Sequence, residues 1–241
     1  MSEGGTSGES GVRFGTLSVI VPVFNERSTV AEVVRRMRSV ELPIEREIVV
    51  IDDGSYDGTG DVLTQLRDST VRVLKHGQNR GKGAAIRTGL ESATGDLVLV
   101  QDADLEYDPE DWPRLLAPVL KGRARVVFGS RFTGERRNML FLHWVGNRFL
   151  SLITNILYNS TLSDMETCYK LFDRRVLDGM RLKADRFDFE PEFTAKVLRR
   201  GIRIYEVPIS YAGREPNEGK KITWQDGITA LWTLVKYRFV D

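Results

Sequence analysis

Apolar positions along the chain follow two rhythms. Short continuous runs rich in β-branched residues predict five buried strands: Leu17 to Val23 (LSVIVPV), Glu47 to Ile51 (EIVVI), Val71 to Leu74, DLVLV ending at Val100, and RVVFGS ending at Ser130. Between them, NERSTVAEVVRRMRSV sets Val30, Val33, Val34 and Met37 at helical spacing. Asp61 to Leu66 predicts a short helix, and GKGAAIRTGLESA another. Strands alternating with helices imply βαβ units, so the expected class is α/β: a mostly parallel central sheet flanked by helices, with its ligand crevice at the carboxyl ends of the strands. From about Arg131 the pattern is less regular, with two amphipathic segments and a basic loop.

The first amphipathic segment, Met139 to Asn159, sets His143, Asn147, Arg148, Ser151, Thr154, Asn155 and Asn159 on one polar stripe of a helix. It is long enough to suggest a membrane span, but the stripe fits a helix lying on a membrane or one packed on the core. The second, residues 222–241, gathers Trp224, Ile228, Leu231, Trp232, Val235 and Phe239 on one side, with Lys236 and Arg238 near its end. Aromatic residues beside cations suit a headgroup interface.

Composition narrows the picture. The 241 residues, 41% hydrophobic and 29% charged, suffice for one globular core. A formal net charge of +1 argues against a protein that works by coating nucleic acid. The single Cys168 excludes an internal disulfide framework, and His76 and His143 have no zinc-site spacing, so a reducing compartment fits. Residues 1–15 open Gly/Ser-rich, without a signal-peptide pattern, and are expected to form a disordered tail.

The chemistry is expected at the strand ends. In LVLVQDADLEYDP an apolar run stops on Asp102 and Asp104, which in an extended segment point the same way. Such a pair suits Mg²⁺ or Mn²⁺ shared with a substrate's phosphates, with Glu106 as a third ligand or the holder of a bound water. Solvated turn residues before Pro109 would give the same pattern. VVIDDGSYDGT puts Asp52 and Asp53 at the same end of the sheet, where Asp52 is placed to accept from a nucleobase or ribose and Gly54 and Ser55 turn the chain. No GxGxxG follows the first strand and no Walker loop occurs.

VIVPVFNE, VVIDDGSYDGT, NRGKGAAIRTG, QDADLEYDP and GSR stand in the order and spacing of the family 2 glycosyltransferases of the GT-A fold. DMETCYKLF, FDFEPEFTAKVLRRGIRIYEVPISYAGR and EGKKITWQDGITAL resemble the branch of dolichyl-phosphate mannose and glucose synthases and their bacterial polyprenyl-phosphate relatives. The resemblance spans about residues 16 to 240. It implies a catalytic domain over 16–221, with a nucleotide-binding half to about 130 and an acceptor half beyond.

It also implies roles. Pro22, Phe24, Glu26, Val50 and Asp52 match the base and ribose pocket, and Gly81 and Lys82 the second nucleotide loop. Asp102, Ala103 and Asp104 match the DXD element that holds the metal and the donor diphosphate. Glu106 stands where many relatives have Gln.

The reaction implied is one inverting displacement. A sugar hydroxyl acceptor needs a general base, whereas a lipid phosphate arrives ionised and needs positioning. Arg131, Arg214, Lys220 and Lys221 are candidates to grip that phosphate. Between Lys196 and Lys221 seven basic residues face three acidic ones, a pattern an exposed loop would also give. Asp164 and Glu166 lie where the family places an acidic residue: either is the base for a hydroxyl acceptor, while for a phosphate Asp164 orients Arg131 or the nucleophile. Cys168 reads as a packed residue.

The expected activity is sugar transfer from a nucleotide sugar, a UDP-hexose or UDP-N-acetylhexosamine rather than GDP-mannose, to polyprenyl phosphate. The expected setting is the cytoplasmic face of a membrane, as a peripheral protein with a membrane-protein partner or as an oligomer. A saccharide hydroxyl acceptor and a noncatalytic nucleotide-sugar-binding module are the alternatives.

Overall fold

Val19, Ile20 and Val21 have no exposed surface, because the strand that carries them lies inside a sheet covered by helices. The computed structural model describes residues 14–214 and 223–240. Seven strands run in the order β3-β2-β1-β4-β6-β5-β7. These are β1 (Thr16–Val23), β2 (Glu45–Asp52), β3 (Val71–Lys75), β4 (Leu97–Val100), β5 (Val126–Ser130), β6 (Lys170–Asp173) and β7 (Ile204–Pro208). All neighbours pair in parallel except β6, which is antiparallel to both β4 and β5. The five expected strands are β1 to β5. Because β6 lies between β4 and β5, the sheet does not divide near residue 130.

The helices are α1 (Val30–Ser39), α2 (Thr59–Gln65), α3 (Lys82–Ser92), α4 (Trp112–Leu120), α5 (Phe141–Tyr158), α6 (Phe189–Arg199) and α7 (Trp224–Phe239). α1 turns Val30, Val33, Val34 and Met37 into the core, as their spacing predicts. α3 packs on β1 and β2 so closely that a Cβ at Gly89 would lie 2.5 Å from Ile20 Cγ2.

Strand order reverses direction at β1, with β2 on one side and β4 on the other. The loops leaving β1 and β4 therefore face each other across a crevice at their carboxyl ends. Thr29 Oγ1 ties them together by donating to the Ala103 carbonyl at 2.8 Å.

Two expectations about position change here. Phe14 packs against the core and the Gly15 N–H donates to Asp96 at 2.7 Å, so these two residues belong to the folded unit and not to a tail. Val50 sits in β2 between Val21 and Val73 with no exposed surface, so it is core and cannot line a nucleotide pocket.

Candidate active site

The loop after β1 is shaped by the β2 end. Asn25 takes a left-handed φ of 53°, its N–H donates to Ser55 Oγ, and its side chain accepts from the Tyr56 N–H. Pro22 and Phe24 are half-buried beside this turn, and the Phe24 ring meets the exposed Tyr56 edge-on at 5.9 Å.

Asp52 closes β2 at its carboxyl end. It is buried, with Oδ1 accepting the Ser55 N–H and Oδ2 enclosed without a hydrogen bond, 4.0 Å from Lys75 Nζ. Its neighbour Asp53 organises the second loop, accepting from the Arg80 and Gly81 N–H groups and pairing with His76 Nδ1 at 2.6 Å. Gly81, at φ 96°, leaves no room for a Cβ, which would lie 2.3 Å from the Asp185 carbonyl. The start of α3 is closed by protein, since the Gly83 and Ala84 N–H groups donate to the Arg186 and Asp185 carbonyls.

β4 ends at Val100, and buried Gln101 anchors the loop that leaves it. Its Oε1 accepts from Trp112 Nε1 and the Tyr169 hydroxyl, and its Nε2 donates to the Asp102 carbonyl. Beyond it the chain bends over residues 103–106, with Leu105 at φ 65°, so Asp102 and Asp104 do not lie in one extended strand. The two still lie close enough to repel. Burial, then Asp102 and Glu106, push the Asp104 carboxyl up to about 7.

Lys82 Nζ meets Asp102 Oδ1 and Glu190 Oε1, each at 2.8 Å. Burial works against its charge, and the two carboxylates outweigh that and hold the ammonium well above its ordinary range. Glu190 comes from α6, far along the chain; it lies within the segment FDFEPEFTAK, where the sequence gives it no role of its own.

Both oxygens of Glu106 are engaged within the protein. Its Oε2 accepts from the Tyr211 hydroxyl at 2.8 Å and its Oε1 from the Arg214 N–H at 2.7 Å. Among the described residues no group of three His, Cys, Asp or Glu side chains converges on a metal-sized site. Asp102 and Asp104 alone fit a divalent cation. Buried repulsion at Asp104 is relieved by positive charge, and two carboxylates with a substrate diphosphate suit Mg²⁺ or Mn²⁺.

Arg214 is also paired within the protein. Its guanidinium forms a fork on Glu26, at 3.1 and 2.8 Å, while Nε donates to the Asp104 carbonyl. It therefore bridges the β1 and β4 loops. Lys220 and Lys221 lie outside the described residues.

The acceptor side is built on Arg131. Its Nε and Nη2 donate to the two oxygens of Asp164, each at 2.7 Å, and Nη2 also reaches Asn147 Oδ1. Tyr211 lies under the guanidinium at 5.3 Å. Nη1 has no hydrogen bond among the described residues. Burial disfavours the cation, but Asp164 overcomes it and holds Arg131 well above its ordinary range.

Glu166 is half-buried, with Oε1 enclosed and unpartnered. Burial and the Glu190 charge push its carboxyl up to about 8, against the opposing pull of Lys170 and Arg131. Lys170 is buried, donates to the Met165 and Thr167 carbonyls, and is pushed down to about 8 by burial. Burial drives the Cys168 thiol well above its ordinary range, consistent with a packed, unreactive side chain.

α5 is inside out. Most of its polar stripe, Arg148 and Asn159 excepted, faces the protein: Ser151 Oγ accepts from the Met165 N–H, Asn155 clamps Leu162 through two bonds, and Asn147 holds Arg131. Its apolar side is exposed, with Phe141 at 72% and Ile156 at 69%. α7 packs beside it through Leu234 and Tyr237 and leaves Trp224, Trp232 and Phe239 outside. No helix among the described residues is long and apolar enough to cross a membrane.

A mostly parallel sheet whose β1/β4 crevice holds a carboxylate pair and a lysine places the protein in the GT-A class of glycosyltransferases. The chain belongs to glycosyl transferase family 2, whose model matches residues 18–180. It is 31% identical over 209 residues to the undecaprenyl-phosphate 4-deoxy-4-formamido-L-arabinose transferase of Pseudomonas fluorescens, a match covering 85% of this chain and 60% of that one. It is 28% identical to the uncharacterized protein MJ1222 of Methanocaldococcus jannaschii, over 90% of each chain. Among solved structures, glucosyl-3-phosphoglycerate synthase of Mycobacterium tuberculosis with Mn²⁺ and UDP-glucose superposes with a TM-score of 0.73. That match has 21% identity and covers 94% of this chain and 80% of that one.

Proposed function

We propose that this protein transfers a sugar, with inversion, from a nucleoside diphosphate sugar to the phosphate of a polyprenyl phosphate at the cytoplasmic face of a membrane. A UDP-hexose or UDP-N-acetylhexosamine is the preferred donor. The carrying observation is the bond from Arg131 to Asn147: a buried cation, one of whose guanidinium nitrogens has no hydrogen bond among the described residues, is fastened to the helix that exposes an apolar side. A ligand with an anionic head and a hydrocarbon tail matches both features. The relative that acts on undecaprenyl phosphate supports the same reading.

The acidic groups also favour a phosphate. A hydroxyl nucleophile must lose its proton to a base, but both Asp164 oxygens are engaged by Arg131, and burial holds Glu166 protonated near neutral pH. A phosphate oxygen needs no such group. It attacks the anomeric carbon as the bond from that carbon to the diphosphate oxygen breaks, and the nucleoside diphosphate leaves with the electron pair. Asp102 and Asp104 would hold Mg²⁺ or Mn²⁺, which neutralises charge on the departing diphosphate. Lys82, held beside Asp102, is the protein's own cation at that end, and Phe24, Glu26 and Gly81 border the nucleotide.

Purified protein is incubated with Mn²⁺, polyprenyl phosphate and, separately, labelled UDP-glucose, UDP-galactose, UDP-N-acetylhexosamines and GDP-mannose, and label is counted in the organic phase. One donor is expected to label the lipid, with loss of label in Asp104→Ala. Donor hydrolysis without lipid labelling, even with membranes supplied to provide a partner protein, would remove the phosphate acceptor.

A further inference from the structure

Lys82 is the first residue of α3, and its ammonium lies against both oxygens of Asp102, 2.8 Å from Oδ1 and 3.1 Å from Oδ2. The carboxylate that suits a divalent cation is therefore already occupied by a cation of the protein. An ammonium and a metal ion on the same two oxygens repel, and little water screens them, since the Lys82 side chain is 14% exposed and that of Asp102 20%. Lys82 on Asp102 and metal on Asp102 are competing states.

The ammonium has a second seat. Glu190, buried in the first turn of α6, holds it through Oε1 at 2.8 Å. One loop braces both ends of this pair. On the α6 side Glu192 accepts from the Lys183 and Ala184 N–H groups, and on the α3 side the Asp185 and Arg186 carbonyls accept from the Ala84 and Gly83 N–H groups. Glu190 therefore keeps Lys82 at the site whether or not Asp102 is available to it. A diphosphate beside Asp102 and Asp104 would offer the ammonium anionic oxygens as a third seat.

We propose that Lys82 is the resident counter-ion of Asp102 and that Glu190 is its positioning residue, so that Asp102 is released to a divalent cation when a nucleoside diphosphate draws the ammonium away. The cation alone then meets a neutralised carboxylate and binds weakly, and each ligand strengthens the other by the same factor. The inference rests on the reading of Asp102 and Asp104 as metal ligands and makes no use of the acceptor.

The test is Mn²⁺ binding to the full chain, read from the electron paramagnetic resonance signal of free Mn²⁺, without nucleotide and with UDP or GDP, and with no acceptor present. Wild type is expected to bind Mn²⁺ about tenfold or more tightly with one of the two nucleotides. Lys82→Gln should raise the affinity for Mn²⁺ alone about tenfold, because it vacates Asp102. Glu190→Gln should lower it about tenfold, because the ammonium then loses its second seat, and the nucleotide should restore it.

Lys82→Gln leaves two carboxylates facing each other, so the double variant Lys82→Gln, Glu190→Gln carries the test if the single one does not fold. It keeps the net charge of the site and should still bind Mn²⁺ alone more tightly than wild type, with the effect of Glu190→Gln lost in this background. Unchanged or weaker binding of Mn²⁺ alone by the Lys82 variants would overturn the proposal and leave the metal reading standing. Mn²⁺ binding that is absent, or that Asp104→Asn does not weaken, would remove the metal reading and the proposal with it.

Discussion

Asp164 grips Arg131 side-on, one carboxylate oxygen on Nε and the other on Nη2, with both distances 2.7 Å and both residues buried. The geometry fixes the plane of the guanidinium and directs its remaining nitrogen. Arg131→Lys keeps the charge but loses the fork. It is expected to lower kcat/KM for polyprenyl phosphate about 100-fold with little change in donor KM. Steady-state kinetics with each substrate varied in turn check this. Asp164→Ala should instead unfold at a markedly lower temperature, because it leaves a buried cation unpaired.

Asp104→Asn tests the carboxylate pair from two sides. Removing a charge that burial, Asp102 and Glu106 all disfavour should raise the thermal midpoint of the metal-free protein. The same change should lower transfer on the order of 10²–10³-fold and weaken protection by Mn²⁺ with UDP. Differential scanning fluorimetry and the label assay read the two effects. A variant that loses both stability and activity would contradict the strained-carboxylate account of Asp104.

Arg214 is expected to serve the donor. Its fork on Glu26 and its bond to the Asp104 carbonyl join the two loops of the nucleotide crevice. Arg214→Ala should raise donor KM about tenfold while leaving the KM for polyprenyl phosphate near wild type. The reverse pattern in the kinetics would return Arg214 to the acceptor.

The first half of the fold is legible in the sequence because its patterns are unmixed. β1 and β4 are almost wholly apolar, and α1 repeats Val30, Val33, Val34 and Met37 at one spacing. β6 and α6 are not legible, because their buried positions include Lys170, Glu190, Glu192 and Lys196: Lys170 donates to backbone carbonyls, Glu192 pairs with Lys196, and Glu190 pairs with Lys82 of α3. Charge in such a segment looks like surface until its partners are known.

The same holds at the site. The QDAD loop is readable as chemistry, but Lys82 with Glu190 and Glu26 with Arg214 are pairs that only the fold brings together. On α5 the stripe of polar residues is visible in the sequence while its direction is open, since periodicity separates two faces without saying which is inside.

Glu166 gives the sharpest division between acceptors. Its ordinary value is 4.5, and in the folded protein burial and Glu190 push it up to about 8. Below about 4.5 folded and unfolded chains both hold the proton. As pH rises toward 8 the unfolded chain releases it while the folded protein keeps it, so stability falls through this window and levels off above it. Glu166→Gln removes the titration and keeps the shape. Its melting temperature should match wild type near pH ~4 and exceed it increasingly toward pH ~8. With a phosphate acceptor, transfer by Glu166→Gln should stay within several-fold of wild type, because no proton must be taken from the nucleophile. Abolished transfer with donor binding intact would make Glu166 the base and the acceptor a hydroxyl.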